Sequence, residues 1–377
     1  MKIAPDWLAN PAVQQVCAML TSAGYQAWFV GGCVRNALIG AGASDIDITT
    51  DARPETVSAL GKSAGFKVVP TGVDHGTVTV VVEGTPFEIT TFRRDIDTDG
   101  RHATVAFADT PGEDAQRRDF TMNALYAAPD GTLRDPLGGV ADALAGRVRF
   151  IGDANRRIAE DYLRILRFFR FHAWYGDPAL GIDAEGLAAC AANVEGIDGL
   201  SAERIGQEMR KLLSAPDPAP AVASMAACGA LLRVLPGAGP EALTVLIHIE
   251  EEVGLEPDFI RRLAALGGDP ERLRLSKAET TRRDILRDMT PGTGEVAWRH
   301  GAATAIDRAA VLAASLSRPL DPKEIKTAQR GAGQILPVKA ADFMPALQGP
   351  ALGAALKAAE ARWIASDFTL TREELLS

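Results

Sequence analysis

The chain has 377 residues, enough for two to four compact units at roughly 100–200 residues each. Apolar residues at 47% and charged residues at 24% exclude a wholly disordered or fibrous chain and leave material for a sizeable core. The net charge of −9 excludes a uniformly basic nucleic-acid binder, yet arginines gather at Arg117-Arg118, Arg156-Arg157, Arg164, Arg167 and Arg170, which allows a basic cleft in an acidic body.

Taken in chain order, the opening MKIAPDWLANP lacks the basic and apolar segments of a secretory signal, and no apolar run reaches about 18 residues. A cytoplasmic protein with no membrane association and no obligate protein partner is the expectation. Apolar or β-branched runs predict strands over residues 27–30, 46–49, 66–69, 77–82 and 87–91. Helices are predicted over 34–39, after Gly31-Gly32, and from Pro54 to about 64, where proline suits a first helical turn. The charged, glycine-containing stretch 93–102 reads as a mobile loop. His102 within it has no metal-type partner nearby and reads as a residue facing RNA or solvent. Beyond about residue 140 the strand signals fade, and helices are predicted over 156–175, 202–213 and 219–235, with Pro- and Gly-rich breaks at 214–220, 236–240 and 289–294. Cys17, Cys33, Cys190 and Cys228 form no CxxC pair, so they read as reduced, mostly buried thiols and not as a zinc site.

The chemistry is sought first in Ser44–Thr50, SDIDITT. On a strand, Asp45 and Asp47 would share one face while Ile46 and Ile48 point into the core. Alone, that alternation describes any half-buried strand. Its context adds meaning, because Gly31-Gly32 precedes it by a dozen residues at a predicted strand-to-helix turn. Backbone amides at such a helix start form an anion site, and Arg35 would add a charged donor. Glu88 joins the two aspartates if its strand neighbours theirs. Three carboxylates of this kind can hold two Mg²⁺ ions, or Mn²⁺, for phosphoryl transfer.

Further motifs follow in order: RRDFTMNAL (117–125), DPLGGVADALAGRVRFIGD (135–153) and EDYLRILRFFRF (160–171). With the preceding GG and DID they resemble the bacterial class II CCA-adding enzymes and the related bacterial poly(A) polymerases, within the polymerase β-type nucleotidyltransferase superfamily. RLRLSKAE (272–279) resembles the same family only weakly. The resemblance implies an α/β nucleotidyltransferase head over residues 1–140, followed by all-α neck (141–200), body (201–285) and tail (286–377) in a seahorse-like, multi-domain arrangement. It further implies Gly32 and Arg35 at the triphosphate, Asp45 and Asp47 at the metals, and Glu88 as the third catalytic position. Arg118 would meet the incoming nucleotide, Asp161 and Arg164 would read the base, and Arg167 and Arg170 would assist there. One departure is Asn36, where the family carries aspartate; asparagine keeps acceptor capacity toward Arg35.

A helix through residues 160–174 would put Tyr162, Ile165, Leu166, Phe169 and Ala173 in one apolar stripe, with Asp161, Arg164 and Arg167 opposite. The EDxxR spacing then sets an acid and a guanidinium one turn apart, and Phe168 and Phe171 among the arginines suit base stacking or packing beneath a base. An aspartate accepts from the exocyclic amine of cytosine or adenine while an arginine donates to ring acceptors; uracil and guanine present the opposite pattern. In RRDF, Asp119 reads as a helix-start buttress and Arg118 as the nucleotide contact. The absence of a His-Asp doublet removes a metal phosphohydrolase domain. The leading expectation is addition of C, C and A to tRNA from CTP and ATP. A poly(A) polymerase, an enzyme adding only part of CCA, a small-molecule nucleotidyltransferase and an inactive RNA-binding protein remain open alternatives.

Overall fold

The computed structural model describes residues 1–42, 45–69, 76–99, 102–344 and 346–377, with the backbone alone for 95–99 and 102–105. The chain divides into two compact units, Met1–Leu212 with Pro220–Val234, and Leu213–Ala219 with Leu235–Ser377. Among the described residues no helix is long and apolar enough to cross a membrane.

The first unit is built on a seven-stranded mixed sheet. Its strands are β1 (Trp28–Val30), β2 (Asp47–Thr50), β3 (Lys67–Val69), β4 (Thr77–Val82), β5 (Thr85–Thr91), β8 (Tyr126–Ala127) and β9 (Leu133–Arg134). They lie in the order β3-β4-β5-β2-β1-β8-β9, and only β2 and β5 run parallel. Phe29, Ile48, Val78, Val80, Phe87 and Ile89 are buried along alternate positions, and helices α1 (Pro11–Thr21), α2 (Gly32–Ile39) and α3 (Pro54–Ser63) add Val13, Val16, Leu20, Val34 and Val57 to the core.

Within the stretch expected as a loop, residues 93–99 and 102 are strand. Residues β6 (Arg93–Asp99) and β7 (His102–Phe107) pair antiparallel, from Arg93 opposite Phe107 to Asp99 opposite His102, with an irregularity between Asp95 and Asp97. A two-stranded ribbon is made by backbone pairing, so its charged first strand carries none of the apolar alternation that marks a sheet strand. Residues 100 and 101 and the side chain of His102 lie outside the described residues.

Helices continue the unit as α4 (Pro111–Gln116), α5 (Gly139–Leu144), α6 (Ala154–Glu160), α7 (Leu163–Tyr175), α8 (Ala184–Ala192), α9 (Ala202–Leu213), α10 (Ala219–Ala227) and α11 (Ala230–Val234). The helix expected over 156–175 is thus broken. Asp161 is extended, at φ −158° and ψ 104°, and its carboxylate accepts from the Leu163 amide at 3.1 Å, a local bond that starts a new helix instead of continuing the old one. Phe168 and Phe171 are buried, not displayed on a polar face. Phe120, Phe150 and Phe168 lie with ring centroids 5.0–6.3 Å apart, and Phe171 sits 5.0 Å from Phe120, which ties α7 to the RRDF segment.

Helix α5 meets that segment through Gly139, where a Cβ would fall 2.1 Å from the Thr121 carbonyl oxygen. Gly139→Ala is therefore expected to destabilise the unit by about 3 kcal/mol, since neither backbone can yield cheaply. A denaturant midpoint unchanged from the parent would refute this close approach.

The second unit is helical: α12 (Glu241–Val253), α13 (Phe259–Leu266), α14 (Lys277–Arg287), α15 (Thr293–His300), α16 (Ala302–Ser315), α17 (Pro322–Ala332), α18 (Gly349–Ala365) and α19 (Arg372–Leu376). Leu246 and Ile249 pack on Ala309, Ala310 and Ala313 in its core. Arg262 is 1% exposed and bonds Glu250 together with the carbonyls of Leu213, Ala215 and Pro216, so the proline-rich break after α9 is fastened inside this unit. Cys17, Cys33 and Cys190 are buried and Cys228 partly so; burial pushes the Cys17 thiol up to about 12 and Cys33 to about 11, consistent with unreactive thiols.

Candidate active site

Strand β2 begins at Asp47; Asp45 and Ile46 precede it without regular structure, and Ile46 is only half-buried where Ile48 is fully buried. The expectation that both aspartates stand on one strand is corrected accordingly. The neighbours explain the late start, since β1 pairs with Ile48 and Thr49 and β5 from Asp47 onward, leaving no ladder to extend to residue 45. The parallel register sets Asp47 beside Glu88, so their side chains leave the same face of the sheet at the same level. Asp47 is open to solvent on one side, yet its carboxyl is pushed up to about 6. Burial is the main cause, followed by the Glu88 charge; Arg118 pulls the other way and Asp45 adds to the crowding.

Among the described residues, no group of three or more His, Cys, Asp or Glu side chains is gathered closely enough to hold a metal ion. A pair of carboxylates with a third held nearby still fits Mg²⁺, which takes one or two protein carboxylates and completes its shell with substrate phosphate and water. The position of Asp47 fits the same ion, because a cation would offset both the burial and the neighbouring acid charges that raise this carboxyl.

The glycine turn lies beside these acids. Gly31 adopts φ 74°, in the left-handed region, and its carbonyl accepts the Arg35 amide, so the amides of Gly32 and Cys33 have no partner within α2. No side chain caps that helix. A Cβ on Gly31 would stand 3.5 Å from Nη1 of Arg118, which therefore rests against the turn. The other end of this guanidinium is fixed: Nε and Nη2 donate to Asp114 Oδ2 at 3.1 and 2.9 Å, and Nε to the Tyr126 hydroxyl at 3.2 Å. Nη1 has no hydrogen-bond partner among the described residues.

Arg35 is placed differently from an exposed phosphate ligand. It is 4% exposed; Asn36 Oδ1 accepts from its Nε and Nη2 at 3.1 and 2.8 Å, Asn123 Oδ1 accepts from Nη1, and the guanidinium lies 3.8 Å from the centroid of the Tyr175 ring. Asparagine at position 36 keeps both acceptor bonds but supplies no charge. Burial accordingly lowers the Arg35 pKa, and Tyr175 and Asp119 only partly offset this.

The remaining residues of the set lie around the break between α6 and α7. Asp161 and Arg164 are not one turn apart on a single helix, since Asp161 stands outside both. Its Oδ2 accepts from Arg204 at 2.7 Å. Arg164 Nη1 donates to Glu160 Oε2 at 2.5 Å and to the Arg157 carbonyl at 2.7 Å, and Nη2 to the Arg117 carbonyl at 3.2 Å. Arg167 donates to Asp119 at 2.7 and 2.5 Å, and Arg170 Nε donates to Glu208 at 2.5 Å while its guanidinium stacks on Phe171. Asp119 also accepts from the Phe120 amide and from Asn123, so the buttressing residue links the RRDF segment to α7. Burial would raise its carboxyl, but Arg167 and these donors hold it down near 2.

Two anchoring acids escaped the sequence reading. Asp114 is fully buried and serves Arg117, Arg118 and Tyr126; Glu160 serves Arg157 and Arg164. Their signal was present in the spacing, an acid three or four positions from each of two arginines.

Residues 27–149 match the poly A polymerase head domain, and residues 180–240 match the segment described as "Probable RNA and SrmB- binding site of polymerase A". The chain is 40% identical over 208 residues to the mitochondrial CCA tRNA nucleotidyltransferase 1 of Mus musculus, covering 55% of this chain and 48% of that protein. It is 41% identical over 233 residues to the CCA-adding enzyme of Geobacillus thermodenitrificans, covering 60% and 56%. These alignments span about half the length of the curated relatives. The crystal structure of the Bacillus stearothermophilus CCA-adding enzyme in complex with CTP superposes with a TM-score of 0.70 at 28% identity, covering 95% of this chain and 94% of that one. In its head domain, its RNA-binding segment and its fold along nearly the whole length, the chain is thus similar to poly A polymerase and CCA-adding enzymes.

Proposed function

We propose that this chain adds C, C and A to the 3′ end of tRNA from CTP and ATP, without a nucleic-acid template. The observation that carries the reading is the convergence on one site of the Asp47–Glu88 pair, the open amides after Gly31 and the unpartnered Nη1 of Arg118. In this reading Gly32 and its neighbours hold the triphosphate by backbone amides, and Arg118 clamps it from the side. Arg35, buried and without a carboxylate bonded to it, adds positive potential from beneath the turn. The 3′ oxygen of the RNA attacks the α-phosphorus, its proton leaves, and pyrophosphate departs. Mg²⁺ or Mn²⁺ bound by Asp45 and Asp47, as a two-ion site, would activate that oxygen and neutralise the triphosphate. Glu88 orients the neighbouring Asp47 and completes the carboxylate set.

Base choice falls to Asp161 and Arg164, with Arg167 and Arg170 supporting the α7 wall. Asp161 retains lone pairs for an exocyclic amine, and Arg164 is aimed by Glu160 toward ring acceptors. Asp161→Ala combined with Arg164→Ala is expected to erase discrimination against UTP and GTP, because each mismatched buried group costs roughly 1–3 kcal/mol. Unchanged incorporation ratios in single-nucleotide assays would reject this role. The function itself is tested with purified protein, a tRNA lacking CCA, and CTP and ATP supplied singly and together. Long A-only tails on arbitrary RNA would replace the reading with polyadenylation.

A further inference from the structure

A cavity of about 240 Å³ opens between the base of the β6–β7 ribbon, α4 and α6, lined by Arg94, Arg117, Arg156 and Arg157 with Glu113 and Glu160. None of its four arginines has a part in the chemistry proposed above. Their charge is poorly balanced. Glu160 bonds Arg157 and Arg164 and lies 3.7 Å from Arg156, while Asp114 bonds Arg117 and Arg118. The lining itself holds four guanidiniums against two carboxylates, an excess of two positive charges on the surface of an acidic protein. Glu113 stays ionised, its Oε2 accepting from the Asp109 amide and the Thr110 hydroxyl, and its Oε1 stands 3.9 Å from Arg94.

We propose that this cavity binds a backbone phosphate of the RNA strand whose 3′ end is extended, an inference that rests on the function proposed above. Arg117 and Arg118 share one carboxylate but serve different places: Arg118 rests on the glycine turn, and Arg117 lines the cavity. Asp114 thus joins the cavity to the glycine turn proposed above for the triphosphate. Its rim favours a passing strand over a trapped small anion, because the Arg94 and Arg156 side chains are 60% and 83% exposed. Guanidiniums that remain in solvent bind a polyanion mainly by releasing its counterions, with affinity falling as salt rises.

The test uses the full chain and a fluorescently labelled tRNA transcript ending before CCA, titrated by anisotropy over a range of salt concentrations without nucleotide. Among the described residues Arg94 and Arg156 are held only by long, exposed ion pairs, at 3.9 and 3.7 Å, so in Arg94→Ala and Arg156→Ala the fold should persist. Each is expected to weaken binding roughly three- to tenfold and to flatten the slope of log K against log salt by about 0.7. The KM for CTP and ATP should not move. RNA affinity indifferent to both substitutions overturns the subsite, as does a raised KM for nucleotide with RNA binding intact, which would assign the cavity to a nucleotide phosphate. Inorganic phosphate should displace RNA more readily from the parent than from the double variant, and equal displacement from both would overturn the subsite. A protein that binds this RNA through both arginines but never extends it supports the subsite and defeats the function.

Discussion

Asp47→Asn is expected to reduce nucleotide incorporation by at least about a thousand-fold while leaving the first unit folded and, without divalent cation, more stable at neutral pH. The activity loss follows from the role proposed for Asp47 in holding a metal ion, which would contribute several kcal/mol of transition-state stabilisation at about 1.36 kcal/mol per tenfold in rate. The stability gain follows from the elevated pKa. Asp47 ionises near 6 in the folded chain against 3.8 for the free group, so the folded state retains the proton longer and loses stability as pH climbs between those values. Replacing it with asparagine removes that loss. Thermal unfolding in chelator-treated buffer should show the variant above the parent beyond pH 6, with the curves converging below pH 4. A variant less stable than the parent at pH 7.5 would contradict the crowding of charge described around Asp47, and retained activity would contradict its role.

Asp114→Asn should be among the most damaging substitutions outside the carboxylate pair. The side chain is 1% exposed, and its loss as an anion would strand Arg117 and Arg118, a kind of change that typically costs about 3–5 kcal/mol. Burial alone would raise the Asp114 pKa, but Arg118, Arg117 and the Tyr126 hydroxyl override it and hold the carboxyl well below the usual range. A depressed folded pKa stabilises above the unfolded value near 4, and that contribution fades as pH falls further. The variant should therefore lose stability at pH 7 and show a flatter acid limb. Because Asp114 aims Arg118, KM for CTP should rise as well, and rescue by Asp114→Glu should be incomplete since the longer side chain cannot keep both bonds. A loss below about 1 kcal/mol at pH 7 would show that the two guanidiniums are held by something else.

Much of the head was legible because its signals are local. The runs around 27–30, 77–82 and 87–91 alternate or cluster apolar residues, and each became a strand within two residues of its predicted bounds. Glu88 could be named as a partner for Asp47, but its adjacency could not, because strand order is a long-range property; the parallel register supplied it. The failures have the same origin. The charged strand of the β6–β7 ribbon is stabilised by backbone pairing that composition does not record. Asp161 looked helical by period, and only its bond to the Leu163 amide shows why the helix stops there. The burial of Arg35 could not be read either, because the ring that covers it, Tyr175, comes 140 positions later in the chain. Phe168 and Phe171 were ambiguous between stacking on a base and packing beneath one, and burial decides for packing.

The single parallel pairing in the sheet has a consequence for how the site comes into being during synthesis. Antiparallel neighbours can meet through a short turn, but β2 reaches β5 only after α3, β3 and β4 have been laid down between them. Asp47 and Glu88 are 41 residues apart in the chain, so closing that loop must wait for its far end. At roughly 5–20 residues per second a nascent chain would spend several seconds with Asp47 made and its partner still absent. Asp47 and Glu88, whose repulsion adds to the effect of burial on Asp47, are thus kept apart on the ribosome, and the electrostatic cost of assembling the site falls on a late step of folding.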